Sequence, residues 1–465
     1  MTDMGQVVTC YSYKGGVGRS FALANIAVIL AQWNLRVLCV DWDLEAPGLD
    51  YYFGVNDLDR PGLLELVEAV AAGKPVAPRE HVFGVSPRGG LQSAASDLTV
   101  DLLSAGRPHH SYGRRVQAVD WEGLYSDRDF GALLEGWRDA WMRSYDVVLI
   151  DSRTGVTDIG GICTAQLPDV ILLFFTANRQ SIDGVLKVRD QAIRARNKLP
   201  FDRAQLLTVP IPSRIDQGVE YERSEQWREV FRTSFAHCYE DWVVQGVDLD
   251  TVMSRTTIPY SAYWSFGEEL PALTENHRDP TYVTHPLATV AALLVHRLNK
   301  TDVLAQSLDS FVDTAIRVGH RRNGFEHDVF ISSTAETSDL AKHLGQLLSQ
   351  AGLRVVVDSS SSRLGQTWDE QIKRRLDGSQ HVVLLLGDKP SSWQQREATY
   401  ILRQSIDDET ERRVIPIVTS QESTKNMPSV LRSLAGYDLQ SGSLEDAARM
   451  ISKISVETRP DPSPS

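Results

Sequence analysis

Short apolar runs alternate with amphipathic stretches along most of the chain. Val7 to Cys10 has the run of a short buried strand, and Phe21 to Leu30 that of a helix. The pattern then predicts strands over 36–40, 98–103, 145–150, 170–175 and 205–209. Helices are predicted from Pro61, over 122–143 and near 182–196. Residues 216–245 read as a helix in which Trp227, Phe231 and Phe235 form an i, i+4, i+8 stripe, the spacing of a core face. From Leu287 the apolar positions Val290, Ala291, Leu294, Val295 and Leu298 predict one amphipathic helix running to about Val318. His320 to Gly324 then reads as a solvated hinge. After it the rhythm restarts, with strands over 328–332, 353–357, 381–386 and 414–418 and helices over 338–350, 367–377 and 392–405. Arg459 to Ser465 reads as a disordered tail.

Such alternation predicts two parallel α/β sheets, the second smaller and flavodoxin-like. The expected organisation is a domain over 1–300, a helical linker over 301–325, a second domain over 326–445 and a C-terminal segment over 446–465.

Composition narrows the class. The chain has 465 residues, 42% hydrophobic and 23% charged, as in soluble globular proteins. Its net charge of −13 argues against a dedicated nucleic-acid binder. No apolar run approaches the roughly 20 residues of a membrane span, and the N-terminus lacks the features of a signal peptide. The four cysteines form no C-x-x-C pair, and Cys10, Cys39 and Cys163, which sit in apolar runs, read as buried free thiols in a reducing cytoplasm. The eleven histidines have no metal-ligand spacing.

The candidate chemistry starts between the first strand and helix, at Tyr13-Lys14-Gly15-Gly16-Val17-Gly18-Arg19-Ser20. Glycines let several backbone N–H groups face one anion, and a helix N-terminus adds partial positive charge. The usual P-loop is G-x-x-x-x-G-K-[ST]; here Tyr13 stands at the first Gly and Arg19 at the Lys. The next buried strand ends in Asp41-Trp42-Asp43, and a third ends in Asp151 after four apolar residues, a Walker B pattern.

Over roughly 5–275 these motifs resemble ParA/MinD-type ATPases, and within them a bacterial subgroup whose loop reads K-G-G-V-G-R. Leu149 to Gly155, Ile258-Pro259-Tyr260 and Phe266-Gly267-Glu268 also resemble that subgroup. The resemblance implies ATP and Mg²⁺ as cofactors. Lys14 would reach across a nucleotide-sandwich dimer, while Gly15, Gly16, Val17, Gly18, Arg19 and Asp41 would line the nucleotide. Ser20 and Asp151 would serve Mg²⁺, and Asp43 the attacking water. Arg19 departs from the family pattern. Its planar fork replaces a point charge, which implies slow hydrolysis. Pro210 to Arg214 would follow the last strand, where the family reads the base.

The second domain resembles a TIR domain over roughly 326–440. His327 to Ser332 is similar to its first box, and Asp358 through Gly365 takes the place of the BB loop. Ser359 to Ser362 and Leu364 depart from that loop's usual composition. Ser391-Ser392-Trp393-Gln394-Gln395-Arg396-Glu397 matches S-x-W-x-x-x-E. In TIR domains that cleave NAD⁺ this glutamate is catalytic, which implies Glu397 here. A carboxylate beside the ribose would stabilise oxocarbenium character as nicotinamide leaves. The fusion resembles bacterial NTPase–TIR immune effectors: a cytoplasmic enzyme, self-associating through both domains, with NAD⁺ as substrate and an unidentified trigger protein. The alternative is a nucleotide-switched scaffold whose TIR domain recruits partners without catalysis. A ParA-like spatial organiser is a third reading, opposed by the acidic balance.

Overall fold

The computed structural model describes residues 4–55, 59–87, 98–155, 161–199, 203–216, 221–323, 325, 327–359, 375–389, 394, 396–397, 399–400, 412–432 and 434–457. The chain divides into two units, 1–319 and 320–465. None of the described helices is long and apolar enough to cross a membrane.

The first unit contains β1 (Gln6–Ser12), β2 (Val37–Asp41), β3 (Phe83–Val85), β4 (Val100–Leu103), β5 (Val147–Asp151), β6 (Val170–Phe175), β7 (Leu207–Ile215) and β8 (Ile258–Pro259). They form one sheet in the order β3-β4-β2-β5-β1-β6-β7-β8. All neighbours are parallel except β3 and β4. The central strands are buried on both faces, so their side chains alternate between two cores. Val8, Cys39, Val147 and Leu149 enter one, and Val7, Leu38, Val148 and Ile150 the other.

The helix Arg19–Gln32 follows β1 and is buried over Ala22 to Leu30. A helix apolar on every side belongs inside. Its one polar interior residue, Asn25, is satisfied, donating to Phe21 O at 2.9 Å and accepting Ala272 N–H at 3.0 Å. The stripe on helix Tyr221–Tyr239 is core, as expected. Phe231 and Phe235 lie 5.1 and 4.3 Å from the ring of Phe175 in β6. All four cysteines are buried and free.

Three expectations need correction. The single helix over 287–318 is three helices, Thr284–Val295, Thr301–Gln306 and Leu308–Asn323. Arg297, Leu298 and Lys300 take left-handed backbone between the first two, without a glycine to announce it. Phe311, Val312, Ala315 and Ile316, in the stretch expected as a linker, enter the first unit's core. The solvated hinge expected from His320 to Gly324 is not what 320–323 form: they close the last helix, and His320 is buried, its ring stacked 6.1 Å from Phe325, while Gly324 lies outside the described residues. Third, β7 continues through Pro210 to Ile215, so those residues extend the strand rather than follow it. Only two-residue β8 lies beyond, pairing from Ser213 onward, and prolines are tolerated near such edges.

The second unit contains β9 (His327–Ser333), β10 (Val355–Ser359), β11 (Ser379–Leu386), β12 (Val414–Val418) and β13 (Tyr437–Asp438), all parallel, in the order β10-β9-β11-β12-β13. This is the doubly wound 2-1-3-4-5 arrangement, with its switch point between β9 and β11. Helices Ser338–Gln350 and Leu444–Glu457 cover one face through Leu344, Leu348, Leu444, Ala447 and Ile451. The helices expected over 367–377 and 392–405 lie largely outside the described residues, as does the tail over 459–465.

The two sheets are pinned at the same rim by the same device. Asp146, just before β5, accepts the Arg36 backbone N–H at 2.9 Å and its guanidinium at 3.3 Å. Asp328 in β9 accepts the Arg354 N–H at 2.8 Å and its guanidinium at 3.1 Å. Each buried carboxylate thereby fixes where the neighbouring strand starts.

His381 in β11 is fully buried, and its Nδ1 accepts the Arg413 N–H at 3.2 Å. Burial first, then Arg413 and Arg412, lowers its pKa from 6.5 to about 4. Above pH 6.5 both folded and unfolded states hold it neutral. Below that the unfolded chain takes a proton the folded chain refuses, so stability falls as pH drops toward 4. At pH 5 the loss from His381 should be about 2 kcal/mol. Burial also lowers the pKa of His320 in the same unit, to about 3, so hydrogen exchange of β11 amides in the full chain should report an opening free energy lower by that amount or more at pH 5 than at pH 7. His381→Gln should shrink the difference by about 2 kcal/mol; an unchanged difference in that variant would refute the assignment.

Candidate functional site

The glycine loop joins β1 to its helix. Gly16 and Gly18 have φ of 73° and 85°, a region that disfavours side chains. Tyr13, at the usual first Gly, fits because Gly184 faces it: a Cβ there would come within 2.1 Å of the Tyr13 ring. Two loop carbonyls are tied to β7. Ser213 Oγ donates to Val17 O at 2.7 Å, and Arg214 Nη1 to Gly16 O at 2.9 Å. In a trans peptide N–H opposes C=O, so the Val17 and Gly18 N–H groups point away from β7. That is how a loop comes to present donors to an anion. Gly15 and Gly16 are exposed. Lys14 is half-buried, with Nζ 3.4 Å from Asn178 Oδ1.

β1, β2 and β5 bring Arg19, Ser20, Asp43 and Asp151 together. Arg19 Nη2 donates to Asp43 Oδ2 at 2.8 Å, and Nε donates to Asp151 Oδ1. Ser20 Oγ donates to Asp151 Oδ2 at 2.5 Å. Burial works against the Arg19 charge, but Asp151 and Asp43 outweigh it and raise its pKa. Burial likewise raises Asp151, with Arg19 pulling back. Ser20 and Asp151, expected on Mg²⁺, are thus bonded to each other, and the second Asp151 oxygen is held by Arg19. As placed, this group does not offer a divalent cation a free carboxylate pair.

Asp41 stands apart from that cluster. It is fully buried and accepts N–H groups of Asp43, Gly48 and Leu49 at 3.2, 3.1 and 3.1 Å. Burial and Asp151 raise its pKa. It shapes the turn that carries Asp43. Sequence reasoning did not single out Asn178, and it placed Ser213 and Arg214 in the base-reading stretch without the bracing role they have here. Asn178 was findable, because it follows β6 and N-caps helix Arg179–Arg196 by accepting Ser181 N–H at 2.9 Å.

In the second unit, Gln394, Arg396 and Glu397 are helical; Ser391, Ser392, Trp393 and Gln395 lie outside the described residues, as do 360–365 of the expected BB loop. Gln394 Nε2 donates to Leu385 O at 2.8 Å, near the end of β11. Tyr400 Oη donates to Asp377, just before β11 begins, at 2.8 Å. The helical segment therefore descends from the ligand edge along β11. Glu397 sits between these anchors and is 3% exposed. At the edge itself, Ser333 Oγ donates to Asp358 O at 3.2 Å, and Glu336 accepts the Asp388 N–H at 3.3 Å.

Residues 8–323 match the family model described as CobQ/CobB/MinD/ParA nucleotide binding domain, and residues 329–453 match that of the TIR domain. The septum site-determining protein MinD of Helicobacter pylori is 43% identical over 54 residues, 12% of this chain and 20% of that protein. A tyrosine-protein kinase, ptk, of Acinetobacter johnsonii is 29% identical over 157 residues, 34% of this chain and 17% of the kinase. The chain spans a fifth or less of the length of the curated relatives it matches. Among solved structures, MinD of Pyrococcus horikoshii complexed with Mg-ADP is 19% identical, with a TM-score of 0.40, covering 64% of this chain and all of that one.

Proposed function

The chain belongs to the CobQ/CobB/MinD/ParA nucleotide-binding family and carries a TIR domain, and from that pairing we propose an ATP-controlled effector that cleaves NAD⁺. ATP would bind at the Lys14 to Ser20 loop and draw copies of the chain together. The assembled TIR domains would release nicotinamide from NAD⁺, leaving ADP-ribose or a cyclic form. The observation that carries this reading is one chain holding a glycine loop with the Val17 and Gly18 N–H groups turned away from β7 and, on a separate sheet, Glu397 on the helix beside the switch-point strand β11. Slow ATP hydrolysis fits the Arg19 contacts, because the guanidinium is committed to Asp43 and Asp151. The cellular setting that follows is cytoplasmic antiviral defence.

A second reading has its own support. A carboxylate only 3% exposed must be uncovered before a dinucleotide can reach it. That favours a TIR domain acting as a nucleotide-switched scaffold. NAD⁺ turnover by the full chain, with and without ATP and alongside a sizing measurement, separates the two. The effector reading expects nicotinamide only in the ATP-assembled sample. Assembly with intact NAD⁺ would leave the scaffold standing in its place.

A further inference from the structure

Arg19 is held on every side but one. Its Nε and Nη2 edge pairs with two carboxylates from β2 and β5, and the side chain is 7% exposed. The remaining oxygens are also engaged. Asp151 Oδ2 accepts from Ser20 Oγ, and Asp43 Oδ1 accepts the Ala46 N–H at 3.3 Å. Nη1, by contrast, is enclosed and has no hydrogen-bond partner. A buried guanidinium N–H without an acceptor costs free energy that an anionic oxygen would return.

The geometry makes a divalent ion a poor fit: among Asp43, Asp151 and Ser20 it would face the Arg19 guanidinium at contact distance, and all four carboxylate oxygens already accept hydrogen bonds.

We propose that Arg19 is the built-in cation of this site, so that the glycine loop binds nucleoside polyphosphate without a divalent metal. The proposal rests on the reading of the loop as a nucleotide site. Asp43 and Asp151 act here as the fixed counter-charges that orient Arg19, and Nη1 is the donor left for a phosphate oxygen.

The test is equilibrium binding of a fluorescent ATP analogue to the full-length protein, in excess Mg²⁺ and in EDTA. Wild type should bind with dissociation constants within about threefold of each other. Mn²⁺ added without nucleotide should remain free by electron paramagnetic resonance. Arg19→Ala should acquire both a Mn²⁺ signal and a metal dependence of nucleotide binding of about tenfold or more. Because Arg19→Ala leaves two buried carboxylates unpaired and can lose its fold, Arg19→Lys is measured beside it, and the wild-type arms decide without either variant. Tenfold or greater weakening of wild type in EDTA would overturn the proposal while leaving the nucleotide site intact. No binding in either buffer would overturn both.

Discussion

Replacing Glu397 by Gln is expected to eliminate nicotinamide release while ATP-driven assembly persists. Gln keeps the size and hydrogen bonding of Glu but not its charge, and charge is what a developing ribosyl cation needs. Loss of one preorganised electrostatic contact of this kind costs about a hundredfold or more in rate. The fold should tolerate the change, because Gln fills the volume of the almost fully buried Glu397 and keeps its capacity for hydrogen bonds. A thermal midpoint near that of wild type is therefore expected with activity gone. Wild-type turnover in the variant would remove Glu397 from the chemistry, and collapse of the fold would assign it a packing role instead.

Lys14→Ala is expected to abolish ATP-dependent self-association and leave the monomer folded. Lys14 is half-buried and at the long limit of hydrogen-bond distance from Asn178, so its removal should cost little stability, within about 1 kcal/mol. Asn178 keeps its other tasks, capping its helix and donating to Thr176 Oγ1 at 2.7 Å. A cation on an exposed turn contributes instead where a phosphate, from this chain or a second copy, arrives. Sedimentation with and without ATP reads the effect directly. An ATP-induced shift of wild-type size in the variant would show that assembly uses other contacts.

The glycine loop was legible because its requirements are local. Positive φ at Gly16 and Gly18 and a strand-to-helix context leave signatures within ten residues. The destination of Arg19 was not legible. Its rotamer is decided by Asp43 and Asp151, 24 and 132 residues away, which only the sheet brings together. The same limit explains β3, a three-residue antiparallel edge with too short a period to read. The break after Val295 was hidden because Arg297, Leu298 and Lys300 adopt left-handed backbone that tertiary packing imposes. Helix Leu444–Glu457 is different. Leu444, Ala447, Ala448 and Ile451 carry the spacing of a core helix, so this element could have been read, yet the expected second domain stopped at 445 and left most of it in a C-terminal segment.

The paired clamps Asp146–Arg36 and Asp328–Arg354 sit at the rim where strands enter, opposite the rim that carries Lys14, Arg19 and Asp43 in the first sheet. Strand register is thereby secured by groups that no ligand need touch. Evolution can then exchange the loops at the exit rim without renegotiating how the strands align. It also makes each unit a host for transplantation: exit-rim loops grafted from a relative should inherit a ready-made frame, provided the entry-rim aspartates are left in place.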